Sequence, residues 1–175
     1  VKRVIIENVK SDGHAVLNAG DPIVARMAPH CSSEIIFFAR DKKNAVLATH
    51  KAQGKRVVYA DRDAMVFQQG GKKHRIPFAN VPLSRNGTVG FQVENAMAAA
   101  AAGWALGIDW VLIEQALAGF TSDATTAPGR FNVFDYKGAT LIADYGHNPD
   151  AIQALVDAIE GMPAVRRSVV ISAAG

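Results

Sequence analysis

Short apolar strands alternating with capped helices predict an α/β fold, built as a larger unit over residues 1–127 and a smaller one over residues 128–175. Three segments carry that prediction. Ile35-Ile36-Phe37-Phe38 is apolar without a break, the pattern of a strand covered on both faces. Asn95 to Leu106 contains seven alanines, a helix-forming run whose small side chains let it lie close to a sheet. Leu141 to Ala143 leads through the polar turn Asp144-Tyr145-Gly146-His147-Asn148-Pro149 into an amphipathic helix. Such a junction puts side chains at the carboxyl end of a strand, where open α/β sheets keep their binding crevices, and it frees backbone N–H groups at the helix start.

From its beginning to about residue 86 the chain reads as strand, helix, strand and then a meander. Ala15 to Leu17 is a short apolar strand ending at Asn18, and Asp21 with Pro22 forms an N-cap and first-turn pair that opens a short helix through Met27. After the Ile35–Phe38 strand, Arg56 to Tyr59, Met65 to Gln68 and His74 to Phe78 read as short strands. Asp61-Arg62-Asp63 and Gly70-Gly71 separate them as turn-forming clusters. The meander is expected to form a small antiparallel β appendage on the α/β sheet.

Residues 87–127 read as helical. The alanine-rich run is the first helix; Asp109 caps a second, whose Ile113, Ala116 and Leu117 share one face and which Gly119 closes. In the smaller unit, Arg130 to Tyr136 and Ala139 to Tyr145 are two strands joined at Lys137-Gly138. Asn148 then caps a helix with Pro149 in its first position and Ile152, Leu155, Val156 and Ile159 at i, i+3, i+4, i+7 spacing. Gly161 and Pro163 stop it, and Ser168 to Ser172 is expected to be the next strand. Strand, helix, strand makes a right-handed βαβ unit, the first part of a Rossmann-like domain. Its apolar edge near Val169 to Ile171 predicts either self-association into a homo-oligomer or a mobile C-terminal region. The sequence starts at Val1 rather than a methionine and stops just after that strand, which points to a piece of a longer chain.

Composition narrows the class of function. With 49% hydrophobic and 20% charged residues the chain is an ordinary globular one. One cysteine, Cys31, leaves no internal disulfide framework, so a reducing cytoplasm fits better than export. No run of 18 apolar residues is present, and Val1-Lys2-Arg3 leads into no signal-type segment, so a membrane role is not expected. The net charge is +3, with basic residues gathered at Lys51 to Arg56 and Lys72 to Arg75. Neither cluster is interleaved with stacking aromatics, and they read as solvated lysine faces rather than a nucleic-acid surface.

The sequence holds no G-x-x-x-x-G-K-[ST] loop, no G-x-G-x-x-G and no H-E-x-x-H, so it lacks its own phosphate cradle, dinucleotide fingerprint or zincin site. His14, His30, His50, His74 and His147 are scattered without metal-ligand spacing, and no nucleophile–base set can be assembled. No residue therefore qualifies as catalytic. The polar groups that remain are Gln92 and Asn95 in Gly90-Phe91-Gln92-Val93-Glu94-Asn95, Arg130 in Pro128-Gly129-Arg130, and Asp144, His147 and Asn148 in the turn. A guanidinium is a natural phosphate partner and an acid at a strand's end a natural sugar partner. The plainer readings are a turn cap for Asp144, a surface ion pair for Arg130 and a helix cap for Asn95.

Those three segments, in that order, resemble the Mur ligase superfamily, and most closely the C-terminal half of the cyanophycin synthetases. The resemblance implies the end of a Mur-type central ATPase domain followed by a Rossmann-like C-terminal domain, the two closing on ATP. Such ligases phosphorylate a carboxylate to an acyl phosphate, which an amine attacks to form an amide bond. Under this resemblance Asn95 is the asparagine that approaches adenine, Arg130 reaches the phosphates and Asp144 meets the ribose hydroxyls. Gln92, His147 and Asn148 face the nucleotide. ATP and Mg²⁺ are the implied cofactors, the Mg²⁺ ligands and the phosphate loop lying upstream, and the partners are an amino acid or peptide.

Two departures stand out. Many members carry His-Asn where this chain has Phe91-Gln92, and Gly20 stands where cyanophycin synthetases usually carry aspartate. The Phe-Gln-Val-Glu-Asn form, Leu17-Asn18-Ala19-Gly20-Asp21-Pro22 and the ending Ser-Ala-Ala-Gly are what cyanophycin synthetases look like. The expected function is thus ATP-dependent amide-bond formation in cyanophycin (Asp/Arg polymer) synthesis by a longer parent, with the 175-residue chain alone inactive. Two alternatives stay open: another ligase of the superfamily, acting on a cell-wall precursor or as a folylpolyglutamate type, and a non-catalytic nucleotide-binding module.

Overall fold

The structure, a computed structural model, describes residues 2–172. The last three residues of the Ser-Ala-Ala-Gly ending, Ala173 to Gly175, lie outside the described residues. A short helix α1 (Arg3–Glu7) precedes β1 (His14–Asn18), α2 (Pro22–Ala25), β2 (Glu34–Ala39), α3 (Ala45–Ala52), β3 (Val57–Asp61), β4 (Ala64–Gln69) and β5 (Lys72–Pro77). Then come α4 (Gly90–Ala105), α5 (Trp110–Gly119), β6 (Asn132–Tyr136), β7 (Ala139–Ala143) and α6 (Pro149–Glu160). No helix among the described residues is long and apolar enough to cross a membrane.

One five-stranded sheet ordered β1-β2-β3-β4-β5 forms the body of the larger unit. β1, β2 and β3 are parallel, with Leu17 beside Phe37 and Phe38 beside Val58; β4 and β5 continue antiparallel, with Tyr59 beside Val66 and Phe67 beside His74. Side chains alternate between faces as strand geometry requires. Ile36, Phe38, Val58, Met65, Phe67 and Ile76 pack under α4 and α5. Phe37, Val57, Tyr59 and Val66 pack on the other face with Leu47 of α3. Covering both faces is why the Ile35–Phe38 run is apolar throughout.

The antiparallel appendage extends the α/β sheet itself, because β3 pairs with β2 and carries β4 and β5 into the same sheet. The parallel β2–β3 pairing needs a crossover, which α3 supplies. The Asn44 Oδ1 accepts from the Leu47 N–H at 3.1 Å to start that helix, while its Nδ2 donates to the Ala19 carbonyl at 2.9 Å. One expectation changes: α4 starts at Gly90 rather than Asn95. The Arg40 guanidinium lies against that start, and a Cβ at Gly90 would push it aside.

Salt bridges and stacking fasten the layers. Arg56 forks onto Glu34, Nε to Oε1 and Nη2 to Oε2 both at 3.0 Å, and donates through Nη1 to the Trp104 carbonyl at the end of α4. Across the sheet, His74 stacks on Trp110 with ring centroids 4.1 Å apart, and its Nε2 lies 2.8 Å from Glu114 Oε1, joining β5 to α5.

The smaller unit is the β6–β7 hairpin and α6. Lys137 (φ 52°) and Gly138 (φ 79°) form its two-residue turn, both at the positive φ that the hand of a hairpin demands. Phe131 and Ala158 are buried with Val89 at the foot of α4, flanked by Phe91, Val133 and Leu155. Asn148 caps α6 as expected, its Oδ1 accepting from the Ala151 N–H at 2.9 Å. The strand expected over Ser168 to Ser172 does not form, and Val169, Val170 and Ile171 stand exposed. A parallel strand with apolar side chains on both faces needs a neighbouring strand and cover on each side, and the described residues supply neither. The α/β class stands; the βαβ unit is represented by its hairpin and helix.

Candidate functional site

All the polar residues singled out from the sequence border one cleft. It has a volume of about 850 Å³ and opens between α4, α5 and the smaller unit, a size within the roughly 300–1,000 Å³ of small-molecule sites. One end is apolar and closely approached, walled by Ala96, Ala99 and Gly103 of α4 and Leu112 and Ala116 of α5. Gln92 and Asn95 stand beside that wall on α4, and Arg130, Asp144, His147 and Asn148 line the cleft from the smaller unit.

Helix α4 contributes an amide pair. Gln92 and Asn95 sit three residues apart, one turn on the same face, and the Asn95 Nδ2 donates to Gln92 Oε1 at 3.0 Å. Gln92 is buried and Asn95 exposed. Among the described residues no buried side-chain nitrogen or oxygen lacks a partner, so the remaining Gln92 Nε2 and Asn95 Oδ1 reach solvent. The pair thus offers one donor and one acceptor to a ligand. Asn95 is interior to α4 and caps nothing.

The second contribution is the Pro128–Arg130 turn. Gly129 takes φ 69°, where glycine is at ease. Arg130 is exposed and enters no ion pair among the described residues, so the surface-pair reading of its guanidinium finds no support.

Asp144, at the carboxyl end of β7, is half-buried and already organises backbone. Its Oδ1 accepts from the Gly146 N–H at 2.6 Å and its Oδ2 from the Phe131 N–H at 2.8 Å. The carboxylate therefore caps its turn as well as lining the cleft; each oxygen keeps a further lone pair for a ligand hydroxyl. His147 is exposed and its Nδ1 donates to the Tyr145 carbonyl at 3.1 Å, which leaves Nε2 outward. The Asn148 Oδ1 is spent on the α6 cap, leaving its Nδ2 for the cleft.

Several residues that shape this site were not among the candidates. Phe91 and Phe131 meet edge-on at 5.3 Å and join the two sides. The buried Asn132 ties the linker before β6; an asparagine inside Phe131-Asn132-Val133-Phe134 was the one signal that could have marked it. Among the described residues no three of His, Cys, Asp or Glu gather where a metal could be held.

Two family models match parts of the chain. The family model "Mur ligase middle domain" matches residues 1–103, and "Mur ligase, glutamate ligase domain" matches residues 129–175. The cyanophycin synthetase of Geminocystis herdmanii (strain PCC 6308) is 37% identical over 172 residues, 97% of this chain and 20% of that protein. That of Crocosphaera subtropica (strain ATCC 51142 / BH68) is 34% identical over the same shares. A UDP-N-acetylmuramate–L-alanine ligase of Stenotrophomonas maltophilia (strain K279a) is 32% identical over 161 residues, 90% of this chain and 31% of the relative. The chain thus spans about a fifth of the length of the cyanophycin synthetases it matches.

Proposed function

The chain belongs to the Mur ligase family, and on that premise we propose that it forms part of an ATP-dependent amino-acid ligase, supplying the nucleotide-facing walls where a middle-type unit meets a C-terminal-type unit. We place the junction between Ala127 and Pro128, and the protein in the cytoplasm, as the lone Cys31 fits. The single observation that supports the reading best is the convergence of Gln92, Asn95, Arg130, Asp144, His147 and Asn148 on one cleft, from segments 35 or more residues apart on its two sides.

Each group has chemistry to match. The close, alanine-walled end accepts a flat apolar ring, and the Gln92–Asn95 amides present the donor and acceptor that the polar edge of adenine complements. The free lone pairs of Asp144 suit a vicinal diol, and the Arg130 guanidinium, in no ion pair among the described residues, suits a phosphate, which it can hold through two parallel N–H bonds. His147 and Asn148 close the rim. Within the reaction, a substrate carboxylate oxygen attacks the γ-phosphorus and ADP leaves with the electron pair, giving an acyl phosphate. The amine of the incoming amino acid then attacks the acyl carbon; phosphate leaves, the amine loses a proton and an amide is formed. What this chain's residues contribute is holding and orienting the nucleotide so that attack is in line. The Mg²⁺ that supports such chemistry has no donor set among the described residues, and we assign its ligands to sequence upstream.

The similarity to cyanophycin synthetases supports cyanophycin synthesis as the parent's activity, and the Phe91-Gln92 pair favours it over a cell-wall ligase, the second reading that the Stenotrophomonas relative keeps in view. Phosphate release tests the proposal. The full-length protein should release phosphate from ATP when offered aspartate or arginine with an Asp/Arg primer, and the 175-residue chain alone should not, for want of a phosphate loop. Release by the isolated chain above a no-enzyme control, or none from the full-length protein with any amino acid, contradicts it.

A further inference from the structure

The turn that carries Arg130 is held by hydrogen bonds to one buried amide and one neighbouring loop, beside the Ser122 hydroxyl that donates to the Arg130 carbonyl and the Arg130 N–H that donates to the Ala127 carbonyl. Asn132 is 2% exposed. Its Oδ1 accepts from the Gly129 N–H at 2.7 Å, and its Nδ2 donates to the Ala127 carbonyl at 2.9 Å and the Ser122 carbonyl at 3.2 Å. Both amide protons are used, and the three partners lie on both arms of the linker between α5 and β6.

The opposite side of the turn is tied to the Asp144 loop. The Tyr145 N–H donates to the Gly129 carbonyl at 2.8 Å, and the Phe131 N–H donates to Asp144 Oδ2 at 2.8 Å. Gly129 therefore has both backbone groups engaged, one by Asn132 and one by Tyr145. Phe131 stands at φ 54°, a left-handed conformation that a phenylalanine keeps only when its surroundings impose it. Arg130 lies between these two fixed residues, while its own side chain enters no ion pair among the described residues. An arginine that must meet a phosphate with a planar fork depends on where its backbone is aimed.

We propose that Asn132 is a positioning residue: it locks the Pro128–Arg130 turn onto the Asp144 loop, so that the guanidinium and the carboxylate face a ligand as one preformed unit. The proposal rests on the nucleotide reading above. It is tested in the full-length ligase by a double-mutant cycle of Asn132→Ala and Arg130→Ala, with steady-state kinetics in ATP and in the amino acid. Arg130→Ala reports on the nucleotide reading, and the coupling reports on Asn132. We expect Asn132→Ala to raise KM for ATP about ten-fold with the amino-acid KM unchanged, and to add nothing in the Arg130→Ala background. Asn132→Asp, which keeps the acceptor for Gly129 and loses both donors, should fall between.

Equal effects of Asn132→Ala in the two backgrounds, or a lowered melting temperature with an unchanged KM for ATP, overturn the proposal and leave the nucleotide reading standing. An Arg130→Ala variant with unchanged KM for ATP overturns both. Hydrogen exchange on the unsubstituted protein covers the case of variants that do not fold: the Gly129 amide, though in a surface turn, should be protected, and exchange at the rate of an open turn contradicts the lock.

Discussion

In the sheet unit, Ile36, Val57, Val58, Met65 and Ile76 are withdrawn from water and both faces of the sheet are covered. In the smaller unit, Phe131 and Ala158 are the hydrophobic side chains among the described residues that reach comparable burial, while Leu141, Phe134 and Tyr136 of its hairpin are 43% to 56% exposed. What the smaller unit has instead is a lattice of backbone and side-chain hydrogen bonds running through Asn132, Asp144, Tyr145 and Asn148. Apolar burial is non-directional and sets the bulk of stability, whereas hydrogen bonds contribute little net but fix geometry. Four of the six cleft residues lie on the second kind of structure and two on the first, at the helix that borders it. The stable unit serves as a wall, and the aimed loops bring most of the polar chemistry to it.

The sharpest way to break this contrast is to truncate one side chain in each unit. Met65→Ala should cost about 2–5 kcal/mol, since it leaves a cavity in a closed core. Leu141→Ala, at 50% exposure, should stay within about 0.5 kcal/mol. Denaturant unfolding with unchanged m-values decides it, and similar costs would mean that the hairpin is packed as tightly as the sheet.

A smaller effect is expected at the helix caps. Asn148→Ala removes the oxygen that accepts from Ala151 and should cost about 1 kcal/mol. Asn44→Ala should cost more, because the same side chain also donates to the Ala19 carbonyl across the sheet's edge. Thermal melts of the two variants sharpen the comparison; a costlier Asn148 would show the smaller unit to be the more cooperative one.

The smallest effect is electrostatic. Burial alone would raise Glu34, but its hydrogen bonds with Arg56 and the charges of Arg56 and His14 outweigh that and hold it below the ordinary 4.5. A carboxylate depressed in the folded state adds stability that is complete above the unfolded value and is lost as pH falls through the folded one. Stability should therefore drop on acidification below about pH 4.5, less steeply in Glu34→Gln, the difference being modest because the side chain is 40% exposed. Glu94 has the opposite sign: burial pushes it up against the pull of Arg40 and Asn18, so its cost is present at neutral pH and relieved on acidification. Melting temperatures between pH 7 and 3 for Glu34→Gln and Glu94→Gln check both directions; parallel curves contradict the assignment.

Local chemistry made part of this readable. The α6 cap at Asn148, the Asp109 and Asp21 caps and the Lys137-Gly138 turn follow from side-chain oxygens and backbone hand, and all stand where the sequence put them. What was not legible depends on distant partners. Helix α3 is short, and its Leu47 and His50 are buried only because the sheet's second face needs covering; α4 runs back to Gly90 with no side-chain cap at Val89 to announce it. Ser168 to Ser172 has a strand's composition without a strand's neighbours. The cleft residues were named from their segments, but that Asp144 would reach across to Phe131, and Asn132 back to Ser122, is information only the folded chain holds.

We propose above that the cleft between the two units receives a nucleotide whose phosphates meet Arg130. Equilibrium binding of ATP to the full-length ligase, measured by calorimetry for the unsubstituted protein, Arg130→Ala and Arg166→Ala, tests it most directly. Both substitutions remove one exposed charge from the same unit, and Arg166 does not border the cleft. The account predicts a loss of about ten- to a hundred-fold for Arg130→Ala, the worth of a charge-assisted contact, with Arg166→Ala within about two-fold. Equal affinities for the two variants would contradict it.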